Sequence, residues 1–493
     1  MHRSVTTLCV ILAGLESPLS VGAQSVSAAR ETTTVRSYDG RSMSGEIIRL
    51  SVPERRSRPI RTITLAAYRL PTTAEQPGAP IVFLMGGPGI PGSVMAAVPP
   101  YYTLFERLRA IADVIIVDQR GLGRSTPIID CPFDGTLSDS AFLVEGLLAA
   151  TLRRQVAACA EHWRREGADP TAYTTLESAD DINDLRKALG VDRIDLLAFS
   201  YGTRLALAVL QRHEAHVGRI VLQGVNGPGL VLKRPVATTR KLQLLSQLLH
   251  HDTLWQQTTD LLAAARVARD RLATAPAAVT IVDQRSGQSK QLIVGRYGFD
   301  AMVNLNLDDR RLPALLVSVA GGDDRLLTRF AEATWNGLTT GSIGLMARAV
   351  NCAADRPGSR WALIAREAGE APFGRPVDNE VLTDDFCGAV GYRTPAVEFS
   401  GRLHSAVPAM LLTGTLDATT PGENARAVAS GLPNAIVLDI VNAAHEGLPM
   451  PQVHDIIIDF LQGRDVRGRS IVGDPPHFPA VEAALAPAPR RGP

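Results

Sequence analysis

Ser200 stands in Ala198-Phe199-Ser200-Tyr201-Gly202, between the apolar run Ile194–Phe199 and a helical stretch. A hydroxyl acts as a nucleophile when a sharp strand-to-helix turn projects it towards a base. Small residues two before and two after let the backbone make that turn. Ala198 fills the first small position, where glycine is usual, and adds one methyl. A serine after a strand also serves as a helix N-cap, so the pentapeptide alone is weak. A base and an orienter are required as well. Asp417 ends the run Leu411-Leu412-Thr413-Gly414-Thr415-Leu416, with Pro421 four residues on. His445 follows the run Ile436–Val441 through Asn442-Ala443-Ala444. Asp417 alone reads as a turn residue and His445 alone as a loop residue. Together the three predict acyl transfer through Ser200 (nucleophile), His445 (base) and Asp417 (orienter). The chemistry also needs donors for an oxyanion. The Tyr201 amide follows the nucleophile. The second donor is placed at Gly87 in Gly86-Gly87-Pro88-Gly89, because Pro88 has no N–H.

The elements that must position these residues are legible as a beat. Ile81–Met85, Val114–Val117, Ile194–Phe199 and Ile220–Leu222 are continuous apolar runs. Such runs suit strands buried on both faces of a parallel sheet. Helical patterns separate them, at about 141–166, 178–189 and 202–213. Residues 34–70 alternate and read as an antiparallel start. The expected class is α/β with a mostly parallel sheet and flanking helices. From 227 to about 404 the pattern turns mainly helical, and strands resume at Ala409–Leu412 and Ala435–Val441. A last helix is expected over 451–463. The predicted organisation is a sheet domain over 30–226 and 405–465, interrupted by a large helical cap at 227–404.

The 493 residues are 45% hydrophobic and 20% charged with a net charge of +1, which excludes wholesale disorder and gives no footprint for nucleic acid. Residues 1–23 combine a basic start, a short apolar run and Val21-Gly22-Ala23, the pattern of a signal peptide, and Cys9 falls inside it. After it, no stretch is long and apolar enough to span a membrane. A secreted or periplasmic location follows. Cys131, Cys159, Cys352 and Cys387 then remain, and an even number in an exported chain suggests disulfides. Four cysteines allow three pairings; nearest-neighbour pairing, Cys131–Cys159 and Cys352–Cys387, is the expected one. None sits in CxxC spacing, so no metal site is expected. Residues 466–493, rich in proline, read as a loose tail. The oligomeric state stays open.

Three strings point to a family. Gly86-Gly87-Pro88-Gly89, the run Asp118-Gln119-Arg120-Gly121-Leu122-Gly123-Arg124-Ser125, and Ser200-Tyr201-Gly202 together resemble the prolyl aminopeptidase family of α/β-hydrolases. The length, export pattern and late cysteines look more like its secreted tripeptidyl aminopeptidase-like branch. The resemblance covers about 78–226 and 405–462. It implies an α/β-hydrolase fold, with the helical insertion as a cap over the site. It implies release of a residue or short peptide from a free N-terminus of a small peptide substrate, without metal or cofactor. Cap carboxylates would bind the substrate ammonium, and Asp355 and Glu446 are candidates. Asp118 and Arg120 would brace the loops below the site. The sequence departs from the family at Met85, where cytoplasmic members usually carry His, and residues 227–400 show no motif for a proline pocket. An esterase or other small-molecule serine hydrolase with the same triad is the alternative. An epoxide hydrolase or dehalogenase would carry Asp at position 200.

Overall fold

A computed structural model describes residues 28–252, 254–255, 260–393, 399, 401 and 403–486. The expected signal peptide, 1–23, lies outside the described residues. Strands β1 (Ala28–Arg36), β2 (Ser42–Pro53) and β3 (Thr62–Leu70) form an antiparallel start. The beat continues with β4 (Ile81–Leu84), β5 (Val114–Asp118), β6 (Ile194–Phe199) and β7 (Val217–Gln223). A separate antiparallel hairpin, β8 (Ala277–Asp283) and β9 (Gln288–Val294), lies in the insertion. The main sheet closes with β10 (Ala409–Gly414), β11 (Ala435–Val441) and β12 (Ile471–Val472). Its ten strands run in the order β1-β2-β3-β5-β4-β6-β7-β10-β11-β12. β3 is antiparallel to β5, and from β5 to β12 every pairing is parallel.

The continuous apolar runs became this parallel part because helices cover both faces. Every residue of β4, β5, β6 and β10 is buried. Side chains alternate between two apolar layers. Val82, Leu84, Leu196, Ala198 and Leu222 pack with Ile182, Leu205 and Val209 from helices 175–189 and 201–213. Phe83, Leu197, Phe199, Val221 and Leu412 pack with Tyr101, Phe105, Val453 and Ile457 from helices 99–108 and 451–461. Each such aliphatic or aromatic side chain contributes roughly 1.5–3 kcal/mol by leaving water.

The insertion is mainly helical, as expected, and also carries the β8–β9 hairpin: in β8, Ala277, Val279 and Ile281 are buried while Ala278, Thr280 and Val282 are exposed, a two-residue period. Two expectations need correction. The cap is built from two chain segments. Residues 131–133 and 142, read as core, bond to 341–343 and 295–298: Ile343 N–H donates to Cys131 O, Phe133 N–H to Gly341 O, and Gly298 N–H to Phe142 O. Finally, the tail is not loose over 466–486. β12 adds to the sheet edge beside β11. The Trp255 indole N–H donates to Phe478 O at 3.0 Å, and the Arg329 guanidinium to Leu485 O at 2.9 Å. Pro475, Pro476 and Pro479 keep the chain extended, free to dock, up to a short helix at Val481–Ala484.

Candidate active site

Ser200 occupies the turn between β6 and the helix at 201–213, with φ 54° and ψ −122°. Such a positive φ is uncommon for a residue with a Cβ, and the surroundings hold it. Its N–H donates to Gln223 O at 2.9 Å, and its carbonyl accepts from the Thr203 N–H at 2.9 Å and hydroxyl at 2.6 Å. Gly202 has to be glycine because a Cβ there would strike the Leu84 carbonyl. Ala198 keeps its methyl at no visible cost, since it lies inside β6, paired with Leu84 and Leu222, before the turn begins.

His445 meets Ser200 from the loop after β11. Its Nε2 is 3.1 Å from Ser200 Oγ, and its Nδ1 is 2.9 Å from Asp417 Oδ2. Asp417 lies in the turn after β10, its side chain shielded from solvent. Its Oδ1 accepts the Thr419 and Thr420 amides at 2.8 Å, and its Oδ2 accepts the Thr420 hydroxyl at 2.6 Å. Burial pushes the Asp417 carboxyl up, but the His445 hydrogen bond and charge and the Thr420 donors outweigh it and hold it below the usual range. The Gln223 side-chain amide fixes the His445 carbonyl at 2.7 Å, and the Phe199 ring packs 4.9 Å from the imidazole. Thr420 and Gln223 were missed from the sequence. Thr420 carries a signal, an Asp-x-x-Thr turn; Gln223, the last residue of β7, carries none.

Register explains the loop opposite. β4 pairs with both β5 and β6, so the chain order reverses beside it, where open α/β sheets form sites. Leu84 faces Ala198, which sets Gly86 against Ser200: a Cβ on Gly86 would come 2.6 Å from Ser200 Cβ. Gly87 has φ 110°, and a Cβ there would crowd the Gly89 amide at 2.7 Å. Tyr201 begins the helix, and its side chain is fully buried. Asp118 binds Ser93 N and Oγ and Arg124 N at 2.7–2.8 Å, tying two loops together. Arg120 is fully buried and paired with Asp181 at 2.7 and 2.8 Å, with Glu54 O and Ala172 O beside it. Both residues therefore brace, as their resemblance implied.

Glu446 and Asp355 are the two acids considered for an ammonium site. Glu446 is exposed and accepts the Tyr101 hydroxyl at 2.8 Å. Burial pushes that hydroxyl up, so Tyr101 remains a donor. Asp355 borders a surface groove with Pro228, Gly229, Pro357 and Arg360. A third acid of the insertion, Asp378, is half-buried and lies 2.5 Å from Lys233 Nζ. Burial disfavours both charges, and their mutual attraction outweighs it: Lys233 is held above its ordinary range and Asp378 below. Both cysteine pairs are bonded, Cys131–Cys159 and Cys352–Cys387. Among the described residues no helix is long and apolar enough to cross a membrane, and no cluster of His, Cys, Asp and Glu could hold a metal ion.

A parallel sheet carrying serine, acid and histidine just past the ends of its strands β6, β10 and β11 defines the α/β-hydrolase class. The family model for the alpha/beta hydrolase fold matches residues 79–449, and the chain belongs to that family. Similar curated proteins include the putative hydrolase YuaR of Escherichia coli, 30% identical over 171 residues, 33% of this chain and 31% of that one. The serine protease Hip1 of Mycobacterium tuberculosis is 30% identical over 190 residues, 36% of each chain. A proline iminopeptidase of Neisseria meningitidis is 28% identical over 148 residues, 30% of this chain and 33% of that one. The chain thus matches about a third of the length of these relatives. Among solved structures, a thermophilic esterase from Thermogutta terrifontis aligns over 84% of this chain and 98% of its own, at 15% identity and a TM-score of 0.35.

Proposed function

We propose that the protein is an exported serine aminopeptidase that releases amino acids or short peptides from free peptide N-termini. The observation that carries this reading is the continuous relay Asp417–His445–Ser200, with contacts of 2.9 and 3.1 Å. Ser200 Oγ attacks the carbonyl carbon while His445 Nε2 takes its proton. Asp417 holds the imidazole with Nδ1–H towards itself and balances the imidazolium charge. The tetrahedral oxyanion accepts the Tyr201 and Gly87 amides. His445 then gives its proton to the leaving amine, and an acyl-enzyme remains. A water repeats the sequence and frees Ser200. Each oxyanion donor is worth about 3 kcal/mol of barrier. Likeness to a serine protease and a proline iminopeptidase supports peptide substrates. The two disulfides support an oxidising compartment, hence export.

A second reading, an esterase or other small-molecule serine hydrolase, is favoured by one observation. The half-buried carboxylate of Asp378 is already paired with Lys233, so it is not a ready ammonium site. The test is kcat/KM on Pro- and Ala-Pro-Ala-arylamides with free and acetylated N-termini, with Ser200→Ala protein as blank. Dependence on the free amine, lost in the variant, supports the aminopeptidase. Turnover of short esters with neither arylamide cut replaces it with the esterase.

A further inference from the structure

The cap places a cation over the loop that faces Ser200. Helix 345–353 lies against the glycine loop: a Cβ on Gly89 would stand 3.3 Å from Ala347 Cβ. The same helix accepts Arg204, four residues beyond Ser200, whose Nη2 donates to Asn351 Oδ1 at 2.9 Å. Arg348 follows Ala347 on this helix. Arg348 is half-buried and its side chain keeps open surface. Lys233 and Asp378, paired at 2.5 Å, are half-buried as well. Lys233 also feels the charge of Asp417, which links this group to the triad.

No carboxylate among the described residues pairs with Arg348. Two acids act on it from a distance, Asp378 and Asp130, and both are engaged. Asp378 holds Lys233. Asp130 Oδ1 accepts the Gly344 and Cys131 amides at 2.7 and 2.8 Å, closing the start of the helix. The Phe386 ring, 5.9 Å from the guanidinium carbon, covers another side. A guanidinium keeps its charge at any ordinary pH, and a half-buried one with no paired carboxylate is free to receive an anion. Its planar fork matches a carboxylate bidentately. Two cations, Arg348 and Lys233, thus stand against one unshared acid, Asp378.

We infer that Arg348, set beside the Lys233–Asp378 pair under the cap, is the receptor for a carboxylate of the substrate. The inference rests on the serine-hydrolase reading for its place beside the reaction. The carboxylate could be the C-terminus of a short peptide or an acidic side chain; the shared chemistry is a planar anion. A neutral or amidated substrate would leave the guanidinium bare.

The first measurement is calorimetric titration of the full-length Ser200→Ala protein with glutarate and with glutaramide, repeated with Arg348→Met and Arg348→Lys added. The expected result is glutarate binding without glutaramide binding, weakened at least tenfold by Arg348→Met and partly recovered by Arg348→Lys. No glutarate binding at millimolar concentration, or equal binding by the Met variant, overturns the inference whether or not Ser200 is catalytic. A fluorophosphonate probe on wild-type protein tests the hydrolase reading separately, by labelling Ser200 or failing to. Turnover then distinguishes the sources. Ala-Ala-Ala against its C-terminal amide reports on the terminus, and Ala-Glu-Ala-amide against Ala-Gln-Ala-amide on the side chain. A preference for the acid of at least tenfold is expected in one pair. It is read as a ratio within one preparation, so partial misfolding of a variant does not alter it. Equal rates in both pairs by wild-type protein also overturn the inference.

Discussion

Asp417 concentrates the residue-scale argument, because it is shielded from solvent, charged and doubly used. Its carboxylate accepts two backbone amides, the Thr420 hydroxyl and the His445 ring. Its folded pKa lies below that of an unfolded aspartate, near 3.9. It therefore contributes stability that is fully present above about pH 4 and lost as pH falls through the folded value. Asp417→Asn keeps the shape and removes the charge. Urea midpoints should show a deficit for the variant at pH 7 that shrinks below pH 4. An equal deficit at both pH values would mean that the amide geometry, and not the charge, holds the turn. On the proposed mechanism the same variant loses about 10⁴ in kcat, since Asn no longer enforces the imidazole tautomer. Ser200, Asp417 and His445 were legible because each followed an apolar run and their chemistry required one another. Thr420 and Gln223 were harder, since a threonine in a turn and a glutamine after a strand are commonplace until their partners are known.

At the scale of elements, β6 carries an unusual burden. It delivers Ser200, and its second residue, Asp195, is a buried acid. Asp195 accepts the Arg219 amide at 2.7 Å, and burial pushes its carboxyl up to about 6 in spite of that donor. An unfolded aspartate titrates near 3.9. The folded strand thus disfavours ionisation, and the resulting penalty grows from about pH 4 to about pH 6 and then levels off. Asp195→Asn removes it while retaining an oxygen for Arg219. The variant should match wild type near pH 4 and exceed it above pH 6, by on the order of 3 kcal/mol at most. Chemical denaturation at pH 4, 6 and 8 decides this, and a gain that does not depend on pH would show that packing is responsible. The strands themselves were readable because burial on both faces leaves uninterrupted runs such as Val114–Val117. The β8–β9 hairpin was not, because Ala277–Val282 mixes small and branched residues in a segment flanked by helical periodicity. The docking of 466–486 was hidden too: composition reports flexibility, whereas Val466, Ile471 and Phe478 are buried by contacts made far away in sequence.

Across the whole molecule, both disulfides serve the cap. Cys131–Cys159 joins the loop at 131–133 to the helix at 147–165, and that loop bonds to Gly341 and Ile343. Cys352–Cys387 joins helix 345–353 to helix 384–390. Helix 345–353 is therefore held at its start through Asp130 and the Cys131 carbonyl, and at its end through Cys352. Neither bridge ends on a strand of the sheet, whose parallel part is secured by burial on both faces. Loops of 28 and 35 residues correspond to roughly 3.5–4 kcal/mol each in the chain-entropy account. Loss of that constraint should be local. Protein carrying Cys→Ser at all four positions should exchange amide hydrogens faster over 128–165 and 341–390, while β4 to β7 and β10 keep their protection. Its kcat/KM should fall more for peptides, which need a fixed cap, than for a short-chain ester that needs only Ser200, His445 and Asp417. Uniformly faster exchange would place the bridges' effect on the whole fold. Unchanged exchange over 341–390 would mean that Asp130 and packing alone hold the helix above the nucleophile.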